Sequence, residues 1–139
     1  MRAVIDTNVI VGAMLTSGLN RQVVRACLSG KVKPLIGTAL FLEYEDLATR
    51  PGLFARSQMS ARDRFELLAA FASVSEWVEV YFAWRPNLQD EGDNHLIELA
   101  VAGSASAIVT NNAKDLRAGE LHFPSIRVLT PADLMKELL

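Results

Sequence analysis

The chain has 139 residues, half of them hydrophobic and 22% charged, with a formal net charge of −2. That length and apolar share suffice for one packed domain over residues 1–139, and the near-neutral charge excludes a strongly basic nucleic-acid footprint. Cys27 is the lone cysteine, which excludes an internal disulfide, and with only His95 and His122 beside it a His/Cys zinc site lacks ligands.

The chain opens on a short apolar run, residues 3–5, that reads as a buried strand and ends on Asp6. Arg2 is the only basic residue ahead of it, so no signal peptide is expected. Thr7 and Asn8 are expected to form a turn that supports the Asp6 carboxylate. Residues 20–28 have helical spacing, with Val23, Val24, Cys27 and Leu28 on one face, and stop at Ser29-Gly30. Residues 33–36 form a short strand. Thr38 reads as the N-cap of a helix through about Ala48, broken by Arg50-Pro51-Gly52. Ser60 with Asp63 opens a helix through Phe65, Leu68, Phe71 and Ala72. Residues 77–82 alternate as a strand, and 86–92 are a polar loop. Asp93 starts a helix through Leu96, Ile97, Ala100 and Val101. Residues 105–110 and 125–129 are strands. Thr130-Pro131 then starts a terminal helix over 132–138, with proline at the tolerated first position.

Short apolar strands alternating with amphipathic helices predict an α/β fold: a three-layer α/β/α sandwich around a mostly parallel sheet. No apolar run approaches the roughly 20 residues of a membrane helix. A reducing cytoplasm fits the cysteine usage.

In such a sheet, ligands bind beyond the carboxyl ends of the strands. Asp6 lies at one such end, and Thr110-Asn111-Asn112 at another. Asp90 and Asp93 precede a helix, and Glu43 sits one turn into its own. Read singly, Asp90 and Asp93 are equally loop and helix-cap residues, Glu43 an exposed helix residue, and Thr110 and Asn112 turn formers. Asp6 differs, because a carboxylate directly after a buried strand needs a partner to offset its desolvation. If these acids share one rim they repel; a pair at ~4 Å costs about 4 kcal/mol at an effective dielectric of about 20. A protonated carboxyl or a hard divalent cation relieves that repulsion. With so few His and Cys, the cation is the better match.

Four stretches carry a resemblance: "VIDTNVIV", "TALFLEYEDLATRP", "DEGDNHLIELAVAGSASAIVTNNAKDL" and "IRVLTPADLMKEL". In order and spacing they resemble a PIN-domain protein over nearly the whole chain, and most closely the small prokaryotic PIN toxins of toxin–antitoxin pairs (VapC-like ribonucleases). The resemblance implies a PIN-like fold and a ribonuclease dependent on Mg²⁺ or Mn²⁺. It places the family's acids on Asp6, Glu43 and Asp93, with Asp90 as the extra acid of that loop. Asp6 and Asp93 would ligate the ion, with Glu43 and Asp90 holding its water or a second ion. Asn8 and Thr110 match supporting polar residues. Where many members carry a fourth acid this chain has Asn112, and Asp115 lies three residues on. A cognate antitoxin and a homodimer are implied as partners, the terminal "LMKELL" or the helix bearing Phe65 and Phe71 offering surfaces for self-association. Arg21, Arg25, Arg50, Arg56, Arg62, Arg64, Lys114 and Arg117 are candidate RNA-backbone contacts, and Trp84-Arg85 a candidate stacking surface.

Rival readings lack their motifs. A phospho-aspartate phosphatase needs Asp where this chain has Asn8. A receiver domain has its acidic pair beside the first strand, where this chain has Arg2. There is no G-x-G-x-x-G, P-loop or G-x-S-x-G. The alternative that stands is a PIN fold that binds RNA or protein without cutting, which Asn112 keeps open.

Overall fold

The computed structural model describes residues 1–80, 94–117 and 125–139. Their elements are β1 (Arg2–Ile5), α1 (Thr7–Leu15), α2 (Leu19–Leu28), β2 (Lys33–Ile36), α3 (Thr38–Ala48), α4 (Ala61–Val74), β3 (Glu76–Trp77), α5 (Asn94–Ala102), β4 (Ala107–Val109), α6 (Ala113–Arg117), β5 (Arg127–Leu129) and α7 (Pro131–Leu138). The five strands form one sheet in the order β3-β2-β1-β4-β5, and every pairing is parallel. The chain winds outward from β1 through β2 and β3, then returns to β4 on the other side. The switch point of the sheet therefore lies between β1 and β4.

The strands form because both of their faces are covered. Ala3, Val4 and Ile5 of β1, Leu35 and Ile36 of β2, and Ile108 and Val109 of β4 are fully buried, the continuous apolar pattern of a parallel sheet. Helix α5 lies across β1, β2 and β4, while α2 packs against α1, α4 and α7. The result is the expected α/β/α sandwich. Pro34 sits within β2 at no cost to the ladder. Lys33 N–H already points toward β1, bonding Met1 O, and β3 pairs only with Leu35 and Ile36 beyond it. Cys27 is buried in this core, and burial pushes its thiol up to about 12, so it packs as an unreactive apolar group.

Several expected boundaries move. Residues 7–15 are helix α1, so Thr7 and Asn8 belong to its first turn rather than to a free turn. The β-branched run Val9-Ile10-Val11 disfavours helix by only a few tenths of a kcal/mol per residue. Burial of Val9, Ile10, Ala13 and Met14 at helical spacing overrides it. Thr38 is the first residue of α3 and Gly37 its cap, without a side-chain cap bond. A Cβ at Gly37 would come within 3.2 Å of Leu99 and 3.3 Å of Val78 O, so the close approach of α5 selects glycine. Of the strand expected over 77–82, β3 spans Glu76–Trp77, Val78 N–H still reaches Ile36 O at 2.8 Å, residues 78–80 are not strand, and 81–82 lie outside the described residues. The strands over 105–110 and 125–129 shorten to β4 and β5, and the five-residue α6 had no counterpart in the sequence pattern.

The caps on α4 and α7 form as the sequence implies. Ser60 accepts from Asp63 N–H, and Thr130 and Asp133 make a reciprocal capping box ahead of Pro131. Asp90, Asp93, Trp84, Arg85, His122 and the 86–92 loop lie outside the described residues. Of the two proposed self-association surfaces, α7 commits Leu134 to the core, whereas Phe65 on α4 is 68% exposed. Among the described residues no helix is long and apolar enough to cross a membrane.

At the amino ends of the strands, Arg2 reaches across β2 to grip Glu76 with two bonds, 2.8 and 2.6 Å, and the Gly103 carbonyl at 2.6 Å. The hydrogen bond from Arg2, with its charge and that of Lys33, holds the Glu76 carboxyl below its ordinary value near 4.5. A lowered folded-state value adds stability above the unfolded one and loses it as pH falls through the folded one. Wild type should therefore be more stable than Glu76→Gln at neutral pH, and the gap should close as pH falls through the lowered folded-state value of Glu76, as read by urea denaturation across pH.

Candidate active site

Asp6 is the residue that follows β1, and the sheet holds it as if it were part of the strand. Its N–H bonds Val109 O at 2.9 Å, continuing the β1–β4 ladder by one residue. Thr110 does the same past β4, donating to Leu129 O at 2.9 Å. The two residues thus stand side by side at the switch point, on rigid backbone.

Asp6 is only 7% exposed, so its carboxylate must find donors within the protein. It finds three, with a hydroxyl close by. Oδ1 accepts from the Thr7 N–H at 2.7 Å and lies 3.3 Å from the Thr7 hydroxyl, whose one hydrogen goes to the nearer Glu43. Oδ2 accepts from the Thr110 hydroxyl at 2.7 Å and from Asn8 Nδ2 at 3.2 Å. Asp6 is also the N-cap of α1, whose dipole favours an anion there.

The network widens from this centre. Thr110 Oγ1 accepts from Asn8 Nδ2 at 3.2 Å and from the Asn112 N–H at 3.0 Å. Asn8 Oδ1 accepts from the Asn111 backbone at 3.1 Å and from its side chain at 3.3 Å. The Asn111 amide also donates to Asn20 Oδ1 at 3.0 Å. Asn20 has room because residue 12 is glycine; a Cβ there would fall 2.2 Å from Asn20 Nδ2.

Glu43 arrives on α3. Its Oε1 accepts from the Thr7 hydroxyl at 2.7 Å, the same hydroxyl that faces Asp6. Its Oε2 bonds His95 Nε2, from α5, at 2.9 Å. Next to it on α3, Tyr44 is buried, packs edge-on to Phe71 with centroids 5.8 Å apart, and donates its hydroxyl to Ile5 O. Burial, then the nearby charges of Asp6, Cys27 and Glu43, push the phenol well above 10, so it stays a donor. That bond ties α3 to the last residue of β1 and so sets Glu43 beside Asp6.

The two carboxylates meet one hydroxyl and so lie within about 6 Å of each other. At an effective dielectric of about 20 their repulsion is about 3 kcal/mol, less the screening that Glu43, 39% exposed, receives from solvent. Among the described residues no Lys or Arg pairs with either. Nor do the described residues bring three His, Cys, Asp or Glu side chains together for a metal. The donor set, carboxylate with amide and hydroxyl oxygens, suits a hard cation such as Mg²⁺ or Mn²⁺ and no soft one.

Of the expected site residues, Asp6, Asn8, Glu43, Thr110 and Asn112 do converge. Asp90 and Asp93 fall outside the described residues, and Asp115 lies on α6. Thr7 supports Asp6 as expected, and Tyr44, His95, Asn111 and Asn20 join the network without having been singled out for it. The basic residues divide. Arg21 bonds Ala13 O, and Arg64 bonds Ala48 O and Met59 O while stacking on Phe54 at 4.3 Å. Arg50 and Arg62 make exposed pairs with Asp46 and Glu66. Arg25, Arg56 and Lys114 are exposed.

A family model described as PIN domain matches residues 2–114. That span contains Asp6, Glu43, Asp90, Asp93 and Asn112 but stops short of Asp115. No curated protein matches the chain by sequence. Among solved structures, the fold is similar to a chain in the crystal structure of VapBC2 from Rickettsia felis bound to a DNA fragment from their promoter. The TM-score is 0.62 at 15% identity, over 94% of this chain and 98% of that one. At that identity the likeness speaks for the fold.

Thr110→Val keeps the shape of the side chain but removes a donor from Asp6 and an acceptor from Asn8 and Asn112. It should lower stability by ~1–3 kcal/mol, measured by urea denaturation.

Proposed function

We propose that this chain, which belongs to the PIN-domain family, is a divalent-metal-dependent endoribonuclease and the toxin of a toxin–antitoxin pair. One observation carries the reading. Asp6 and Glu43 are built against each other at the switch point of the sheet, on rigid backbone, with no Lys or Arg among the described residues to neutralise them. A fold spends stability on such a pair when something cationic is to bind there.

Asp6 and Glu43, with Asp93 and Asp90 from the segment before α5, would hold Mg²⁺ or Mn²⁺. The bound ion supplies acidification of water and neutralisation of the charge that grows on the phosphoryl oxygens. The chain's own residues do the positioning. Thr110 and Asn8 fix one oxygen of Asp6, and the Thr7 N–H the other. Thr7 spans the two acids. Asn112, three residues past β4, would take the place where many members carry an acid, and Asp115, three residues on, would be the supporting carboxylate. Among the described candidates, Arg25, Arg56 and Lys114 are exposed and would be open to RNA phosphates. The fold shared with a chain of the VapBC2 complex supports an antitoxin partner, and the exposed Phe65 of α4 suits self-association better than α7 does.

A second reading is a PIN fold that binds RNA or protein without cutting. It is favoured by Asn112 and by the three donors already on the Asp6 carboxylate. Cleavage of a mixed single-stranded RNA pool separates the two. The nuclease reading expects cutting with Mn²⁺ or Mg²⁺, none in EDTA, and losses of at least ~100-fold in Asp6→Asn and Glu43→Gln, as for groups serving a metal's several kcal/mol of transition-state stabilisation. Absence of metal-dependent cutting by wild type favours the binding module, and Asn112→Asp should then be tested for gain of activity.

A further inference from the structure

His95 has no assigned role, yet it makes one directed contact. Its Nε2 lies 2.9 Å from Glu43 Oε2. A carboxylate only accepts, so the ring nitrogen carries the hydrogen and donates. With Thr7 donating to Oε1, each Glu43 oxygen has one fixed donor, from α1 on one side and α5 on the other. The carboxylate plane is therefore set from both ends. The other ring nitrogen, Nδ1, is buried with no hydrogen-bond partner among the described residues. A buried unpartnered nitrogen is unfavourable, and an apolar ring would fill the same space without that penalty. The histidine is thus poorly chosen for packing and well chosen for donating to Glu43.

We propose that His95 is a positioning residue that fixes the Glu43 carboxylate for divalent-cation binding. The inference rests on the metal-dependent reading above and deepens it. His95 holds Glu43 against the beginning of α5, the element that directly follows Asp93 in sequence, so α3 and α5 are coupled through this one hydrogen bond. His95 acts through Glu43 and not on the reacting phosphate.

The test uses the full chain in four forms: wild type, Asp6→Asn, His95→Phe and His95→Gln. Two quantities are measured without RNA: the melting temperature in EDTA, and the Mn²⁺ dissociation constant by electron paramagnetic resonance of free Mn²⁺. The phenyl ring keeps the bulk and loses the donor, whereas the glutamine amide keeps a donor. The expected result is a His95→Phe protein that melts in EDTA at or above the wild-type temperature and binds Mn²⁺ ~10–100-fold more weakly, the usual range for a group that orients a ligand. His95→Gln should recover most of that affinity. Equal Mn²⁺ affinity in His95→Phe and wild type overturns the proposal. So does a His95→Phe protein that melts below wild type in EDTA or fails to fold, since the ring is then a packing residue. Failure of the underlying reading shows without any His95 variant, as a wild type that does not bind Mn²⁺ or an Asp6→Asn protein that binds it as well; the proposal falls with it.

Discussion

A carboxylate placed at the end of a fully buried strand must be supplied with hydrogen bonds from its own protein. Asp6 is in that position, and the site is the set of residues that meets its demand. Thr7 follows it in sequence and donates from its backbone. Asn8 is one residue on, and Thr110 stands at the end of the neighbouring strand. Parallel pairing of β1 with β4 brings Thr110 there, because the ladder continues past both strands to Asp6 N–H and Thr110 N–H. The donor shell depends on sheet register; a slip of one residue would turn Thr110 to the opposite face.

Glu43 comes to the same place by a different route. It is on a helix, and a helix is located only by what it packs against. Tyr44 supplies that location, its ring seated on Phe71 and its hydroxyl on the Ile5 carbonyl. The core thereby positions the second carboxylate against the first, and their repulsion is a cost carried by the packing around them. The Thr7 hydroxyl and the His95 ring N–H lessen it by each donating to one Glu43 oxygen.

The fold was largely legible because strands buried on both faces leave short apolar runs, and residues 3–5, 34–36 and 107–109 are such runs. Ser60 with Asp63 and Thr130 with Asp133 signalled helix starts through side chains that bond backbone N–H groups. Helix α1 was not legible from local pattern, since Val9-Ile10-Val11 reads equally as extended chain; Asp6 as an N-cap was the available signal. β3 starts one residue earlier than the alternating pattern implied, at Glu76, which pairs with Leu35 of β2, a contact no local pattern encodes. At the site, Asp6, Asn8, Glu43, Thr110 and Asn112 could be named because motif spacing links them to element ends. Tyr44 and His95 could not, because their roles rest on contacts 39 and 52 residues apart in the chain.

If Asp6 and Glu43 are held together to receive a divalent cation, anomalous scattering from a crystal grown with Mn²⁺ will show it. A manganese peak is expected with oxygens of both Asp6 and Glu43 at roughly 2.1–2.3 Å or one water away, absent from an Asp6→Asn crystal. A fully ordered site with no manganese there, or manganese bound only elsewhere, would contradict it.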